Sequence, residues 1–138
     1  IQQRATALGV ELHLLPRLTQ GVLVALVKGA RAVVSLAHAE PFGLTPVEAQ
    51  AAGTPAIMVD EGGFSYTVED GVSGRLLPRP VTGESHLKWH AALEEAADPH
   101  TREAWRQGGL ANITEMGLRP QDQAARLAEI VGTLLMEK

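Results

Sequence analysis

The chain has 138 residues, 45% of them hydrophobic and 20% charged, with a formal net charge of −4 at pH 7. This balance is typical of one soluble globular domain, and the scattered basic residues predict no nucleic-acid partner. The absence of cysteine excludes disulfides and thiolate chemistry. The longest apolar run, residues 22–27, is too short to span a bilayer, so we expect a cytoplasmic protein.

The first part of the chain alternates helical and extended patterns. In order, it predicts a helix over 1–8 ended by Gly9, a strand over 10–15 closed by Pro16, a helix to about Lys28 capped by Thr19, and a buried strand over 32–36. Strands separated by helices favour a parallel sheet.

The stretch from 40 to 59 contains a turn, a helix start, a helix stop and a strand. Thr45 followed three residues later by Glu48 predicts a capping box and a helix over 46–52. Gly53 predicts the left-handed residue that ends this helix. The apolar run 56–59 then predicts a second buried strand.

The rest of the chain becomes helical after one more strand. The patterns predict a tight turn at 61–63, a helical turn over 64–69, a strand over 75–77, and helices over 84–97, 99–111 and 120–136. The fold class expected is therefore α/β, a doubly wound parallel sheet with a helical C-terminal tail.

The loop before the capped helix has the properties of an anion site. The free N–H groups of a first helical turn and the positive end of its dipole attract negative charge. Backbone N–H groups of Phe42, Gly43, Leu44 and Thr45 are available there. Glu40 lies where open α/β sheets bind ligands, and the sequence shows no group that it would cap.

The same stretch resembles a family signature. Two glutamates, Glu40 and Glu48, are separated by seven residues, and further positions agree with the signature: Phe42, Gly43, Leu44, Ala49, Ala51, Gly53 and Pro55. This run is similar to that of the retaining glycosyltransferases of family 4 (group 1), which have the GT-B fold. The resemblance implies a Rossmann-like C-terminal domain that binds a nucleoside-diphosphate sugar.

The resemblance also implies roles for individual residues. Glu40 would face the donor sugar as the catalytic carboxylate, and Glu48 would bind the ribose hydroxyls. By their positions alone, Arg17 after the predicted strand and His38 just before the loop are further candidates for contact with the donor, together with the loop Phe42 to Thr45. Without the resemblance, Glu48 is a helix cap, Glu40 a solvated loop carboxylate, and Arg17 a surface arginine. The five histidines lack metal-ligand spacing, and the resemblance implies no metal or other cofactor.

The resemblance covers nearly the whole chain, with two departures. Pro16 replaces a glycine of the family and Tyr66 replaces a glutamate. The first strands of the donor-binding domain and the acceptor-binding N-terminal domain have no counterpart. We therefore expect a partial domain, 1–138, of a hexosyltransferase that is inactive alone, and whose missing domain could bring it to a membrane. A sheet edge exposed at 10–15 or 32–36 predicts self-association.

Two alternatives have the same predicted fold, because fold alone does not separate activities. One is a nucleotide-sugar epimerase or a phosphorylase, although no lysine lies in a motif for pyridoxal phosphate. The other is a non-catalytic regulatory α/β domain, which would need an acidic cluster and a switch lysine.

Overall fold

The computed structural model describes residues 1–136, which form seven helices and three strands. The helices are α1 Gln2–Ala7, α2 Gln20–Gly29, α3 Leu44–Ala51, α4 Phe64–Thr67, α5 Gly83–Ala97, α6 Pro99–Glu115 and α7 Pro120–Met136. The strands are β1 Val33–Ser35, β2 Ala56–Val59 and β3 Gly74–Leu77. None of these helices has the length and hydropathy needed to cross a membrane.

The three strands form one parallel sheet in chain order. α3 connects β1 to β2, and α4 lies between β2 and β3. All four residues of β2 have zero exposure, so both faces of the central strand are covered. The predicted α/β fold with a parallel sheet and a helical tail is confirmed.

The hydrophobic core surrounds β2 and continues under α5 and α6. Trp89 and Trp105 are buried there, and each indole N–H finds a carbonyl: Trp89 donates to Pro78 at 2.8 Å and Trp105 to Gly71 at 3.1 Å. Buried indoles with satisfied N–H groups combine apolar burial with a fixed orientation. These contacts fix the two helices against the loops that flank β3.

A buried amide network holds α3 in place. Gln50 is 1% exposed, and its Nε2 donates to the carbonyl oxygens of Pro46 at 3.0 Å and Thr67 at 2.7 Å. Its Oε1 accepts a hydrogen bond from Asn112 Nδ2 at 2.8 Å. Since these partners lie on α3, α4 and α6, one side chain links three helices.

The strand predicted over 10–15 is wrong. The segment is irregular and mostly exposed, and within residues 1–136 it pairs with no strand. Alternating side chains can favour a strand, but the backbone still needs a neighbour for its hydrogen bonds. Among residues 1–136 the sheet ends at β1, and α2 has no buried residue.

We expect the loss of the Gln50 network to destabilise the fold. Gln50→Met keeps the volume but removes the buried hydrogen bonds, which should lower the free energy of unfolding by about 2 kcal/mol. Urea denaturation measures this. Gln107→Met is the matched control, because Gln107 is exposed and its side chain, within the described part of the chain, bonds only Glu103. Equal midpoints for the two variants would contradict the assigned role.

The open edge of β1 makes self-association an expected property of this chain. β1 pairs only with β2 within residues 1–136, and Val34 is 46% exposed. We expect sedimentation at micromolar concentration to show a dimer, and Val34→Lys to favour the monomer by charging the edge strand. Val81→Lys, on an exposed loop, should leave the dimer intact. A strictly monomeric unaltered chain would contradict this.

Candidate functional site

The candidate site lies at the carboxyl edge of the sheet. The loops that follow β1, β2 and β3 meet at this edge, which is where open parallel sheets bind ligands. Two of the loops, 36–43 and 60–63, carry most of the residues that matter.

Glu40 shapes the start of α3. Its Oε1 accepts a hydrogen bond from the Gly43 N–H at 3.1 Å, and the carboxylate is half-buried. Gly43 is the N-cap residue with φ 91°, a left-handed conformation that glycine adopts without steric cost. The sequence missed this role of Glu40.

The capping box predicted for Thr45 and Glu48 is wrong. α3 begins at Leu44 and its N-terminus has no side-chain cap of its own. Because Glu40 reaches the Gly43 N–H from the preceding loop, the helix starts two residues earlier than predicted, and Glu48 lies a full turn inside it. Gly53 follows the helix with φ 77°, as predicted.

A direct backbone contact holds the loop that carries Glu40. The Gly63 N–H donates to the Glu40 carbonyl oxygen at 2.7 Å. A Cβ at Gly63 would lie 2.2 Å from the carbonyl carbon of Phe42, and one at Gly62 would lie 2.6 Å from the Glu40 oxygen. The turn at 61–63 was predicted, but its contact with Glu40 was not.

Ala39, next to Glu40, has φ 55°. A residue with a side chain in this region stores local strain, which must be balanced by surrounding contacts. The contact from Gly63 to Glu40 supplies one of them. No pattern in the sequence indicates this conformation.

The predicted donor-binding residues of α3 border a cleft. Thr45 and Glu48 line a cavity of about 580 Å³ between α2 and α3, together with apolar residues that include Val24 and Val27. Within residues 1–136 the Glu48 side chain has no hydrogen-bond or ion-pair partner, and it is exposed. Phe42 and Leu44 are also exposed.

Arg17 and His38 differ in how the structure places them. Arg17 is exposed in the irregular segment before α2, and no hydrogen bond within residues 1–136 connects it to the loop of Glu40. His38 lies on that loop, and its Nδ1 is 3.3 Å from Glu61 Oε2. The structure therefore brings His38, but not Arg17, to the carboxyl edge through a defined contact.

Sequence reasoning missed Glu61 and Arg79. Arg79 Nε donates to Glu61 Oε1 at 2.9 Å and its Nη2 to Oε2 at 2.6 Å. This pair, and secondarily the bond to His38, lowers the pKa of Glu61 from 4.5 to about 2. Each residue lies two positions after the end of a predicted strand, which was the available signal. Among residues 1–136, no group of three His, Asp or Glu side chains could hold a metal ion.

A model of a known protein family matches the first four-fifths of the chain. The model of the family described as glycosyl transferases group 1 matches residues 1–109. D-inositol 3-phosphate glycosyltransferase from Actinosynnema mirum is 40% identical over 103 residues, covering 72% of this chain and 24% of the relative. The enzyme of the same name from Streptosporangium roseum is 33% identical over 129 residues, covering 91% and 28%.

A solved structure agrees with the fold. Sucrose-phosphate synthase from Thermosynechococcus elongatus has a TM-score of 0.80 and 21% identity, covering 99% of this chain and 34% of that chain. The chain spans 24% and 28% of the two curated relatives. Of the functions considered from the sequence, these matches favour glycosyl transfer over a regulatory domain.

We expect Gly63→Ala to disrupt the site and the fold together. The added Cβ would overlap the Phe42 backbone, which cannot move as a side chain can, so the free energy of unfolding should fall by about 3 kcal/mol. Thermal or urea unfolding measures this. Gly21→Ala, in an open part of α2, should be neutral or stabilise by up to about 1 kcal/mol. Unchanged stability of Gly63→Ala would contradict the contact.

Proposed function

Because the chain belongs to the glycosyl transferases group 1 family, we propose that it binds the nucleotide-sugar donor of a retaining glycosyltransferase of family 4. The enzyme transfers a sugar, of hexosyl type, from a nucleoside diphosphate to an acceptor. The chain is part of the C-terminal domain of a GT-B enzyme, and an N-terminal domain supplies the acceptor site. Alone, the chain does not turn over. The observation that carries the proposal is the family match across the loop and helix of Glu40 and Glu48.

The start of α3 is the proposed diphosphate site. Leu44 and Thr45 open the helix, so their N–H groups have no acceptor within it. The helix dipole adds positive potential at the same place. The Gly43 N–H is engaged by Glu40, so Leu44 and Thr45 are the main donors, with Phe42 beside them.

The cleft between α2 and α3 is the proposed nucleoside site. Its volume of about 580 Å³ lies in the range of small-molecule sites, which are mostly apolar with a few polar groups. Glu48 at its edge accepts hydrogen bonds from the ribose hydroxyls, and the apolar side chains of α2 contact the base. Arg17 precedes α2, and we propose that it also contacts the nucleotide-sugar donor.

Glu40 is the proposed catalytic residue. A carboxylate near the anomeric carbon stabilises the positive charge that develops as the leaving nucleotide departs. Its hydrogen bond to the Gly43 N–H orients one oxygen and leaves the other for a sugar hydroxyl. The enzyme needs no metal, because the helix terminus and cations of the complete protein stabilise the diphosphate. It acts in the cytoplasm, or at a membrane surface through its other domain.

Titration of the 138-residue chain with UDP, GDP or ADP tests donor binding. We expect the largest amide shifts at Phe42 to Thr45 in ¹H–¹⁵N spectra. Glu48→Gln should weaken binding about tenfold, the effect of one charge-assisted hydrogen bond, with no change in melting temperature. Glu94→Gln on α5, an exposed position, is the matched control. If the largest amide shifts fell within 84–136 instead, the proposed position of the donor site would be contradicted.

Glu40→Gln separates catalysis from stability in the full-length enzyme. The glutamine oxygen still accepts the Gly43 N–H, so the free energy of unfolding should change by less than about 0.5 kcal/mol. Loss of the charge should lower turnover about 100-fold or more. A panel of nucleotide sugars assayed for transfer and donor hydrolysis measures this, with Glu94→Gln again as control. Unchanged turnover in Glu40→Gln would show that Glu40 is not the catalytic residue.

A further inference from the structure

A second cavity, of about 520 Å³, lies between α4 and the C-terminal end of α6. Residues from the segment 65–69 form one wall, and residues from the segment 112–116 form the other. The cavity shares no lining residue with the cleft between α2 and α3, and the proposed function gives it no role. Its volume lies in the range of small-molecule sites.

The Asn112 amide offers only its oxygen to this cavity. Its Nδ2 donates to Gln50 Oε1 at 2.8 Å and to the Thr67 carbonyl oxygen at 3.1 Å. Both of these oxygens are acceptors, so the amide cannot be turned the other way. Asn112 Oδ1 has no partner within residues 1–136. Because no buried side-chain oxygen or nitrogen in that part of the chain lacks a hydrogen bond, this oxygen is accessible.

The other polar groups of the cavity are left as acceptors too. Ser65 donates its hydroxyl hydrogen to Asp60 Oδ1 at 2.7 Å, so its oxygen keeps only lone pairs. Glu69 and Glu115 are exposed, and neither carboxylate has a hydrogen-bond or ion-pair partner among the described residues. Apart from the Tyr66 hydroxyl, the side chains of the cavity have no donor to offer. A ligand here must therefore bring donors, and the two carboxylates favour positive charge.

An aromatic ring and apolar side chains accompany these acceptors. Tyr66 is 81% exposed, and the face of such a ring attracts a cation. A planar guanidinium stacks on aromatic rings and bonds carboxylates through two parallel N–H groups, whereas an ammonium is a compact, strongly hydrated charge. Val68 and Met116 provide apolar contact for an aliphatic stem. Two exposed carboxylates alone do not define a site, but the oriented amide oxygen and the ring in the same cavity match a guanidinium.

We propose that the cavity between α4 and α6 binds a guanidinium group on an aliphatic stem, the chemistry of an arginine side chain. The N–H groups bond the carboxylates of Glu69 and Glu115 and the Asn112 oxygen, and the plane of the group stacks on Tyr66. A small guanidinium compound and an arginine of another polypeptide share this chemistry. The site is independent of the proposed donor site, because no donor-binding residue contributes to it.

Titration of the 138-residue chain with two probes tests the proposal by ¹H–¹⁵N spectra. The probes are agmatine, a small guanidinium compound, and an acetylated and amidated Gly-Arg-Gly peptide. We expect amide shifts centred on Tyr66, Glu69 and Glu115 with both, and the probe that binds more tightly identifies the source of the group. The same peptide with citrulline in place of arginine keeps the shape without the charge, and should bind at least about tenfold more weakly. Added salt should weaken binding, because the carboxylates are exposed.

Substitutions in the cavity test the assigned contacts. Glu69→Gln and Glu115→Gln should each weaken binding of the arginine peptide about tenfold, the effect of one charge-assisted hydrogen bond. Tyr66→Ala should weaken it about threefold, whereas Tyr66→Phe, which keeps the ring, should bind as the unaltered chain does. These side chains are exposed, so the melting temperature should not change. Glu94→Gln on α5 is the matched control for the loss of one exposed carboxylate.

Four results would overturn the proposal. They are equal affinity for the arginine and citrulline peptides, equal affinity for a peptide with lysine in place of arginine, shifts centred outside the cavity, and unchanged binding in both Glu69→Gln and Glu115→Gln. Titration with UDP decides separately on the donor site, since that site shares no residue with this cavity. Failure of one proposal therefore leaves the other standing.

Discussion

The close approach of two peptide groups, at Gly63 and Glu40, determines the geometry of the candidate site. The distance from the Gly63 nitrogen to the Glu40 oxygen is 2.7 Å. Beside this contact, a Cβ on Gly63 would lie 2.2 Å from the Phe42 carbonyl carbon, so the approach requires a residue without a side chain. The loop so held carries Glu40, balances the strain at Ala39, and leads through Gly43 into α3. The position of the carboxylate and the direction of the helix therefore share one cause.

Stability is distributed unevenly around this site. α3 is anchored through Gln50 to two other helices, and β2 is completely buried. In contrast, α2 and α7 have no buried residues. Elements with few buried contacts open with low free energy, whereas core elements open only with the whole fold. The cleft between α2 and α3 thus has one rigid wall and one adaptable wall, which suits a pocket that must admit and release a ligand.

The sequence predicted what periodicity and local chemistry determine. The helices near α5, α6 and α7, the strands near β1, β2 and β3, and the end of α3 at Gly53 all follow such patterns. The predicted start of α3 was wrong because Glu40, which lies outside the helix, accepts a hydrogen bond from the Gly43 N–H. The strand predicted at 10–15 was wrong because alternating side chains indicate which residues share a face, but not whether a neighbouring strand is present to pair with the backbone. The contacts among His38, Glu61 and Arg79 need the order of the strands in the sheet, which no local pattern contains.

The hydrogen bonds of the Arg79 guanidinium have a consequence for motion at the carboxyl edge. Its guanidinium joins the end of β1, through the Leu36 carbonyl, to the loop after β2, through Glu61. Neither segment can fluctuate independently while these bonds persist, so the edge moves as one collective unit. Loop motions of this kind occur on nanosecond to microsecond timescales when segments are independent. Coupling through one planar cation restricts such motions, and a lysine, with a single nitrogen, could not bond all three oxygens in this planar geometry.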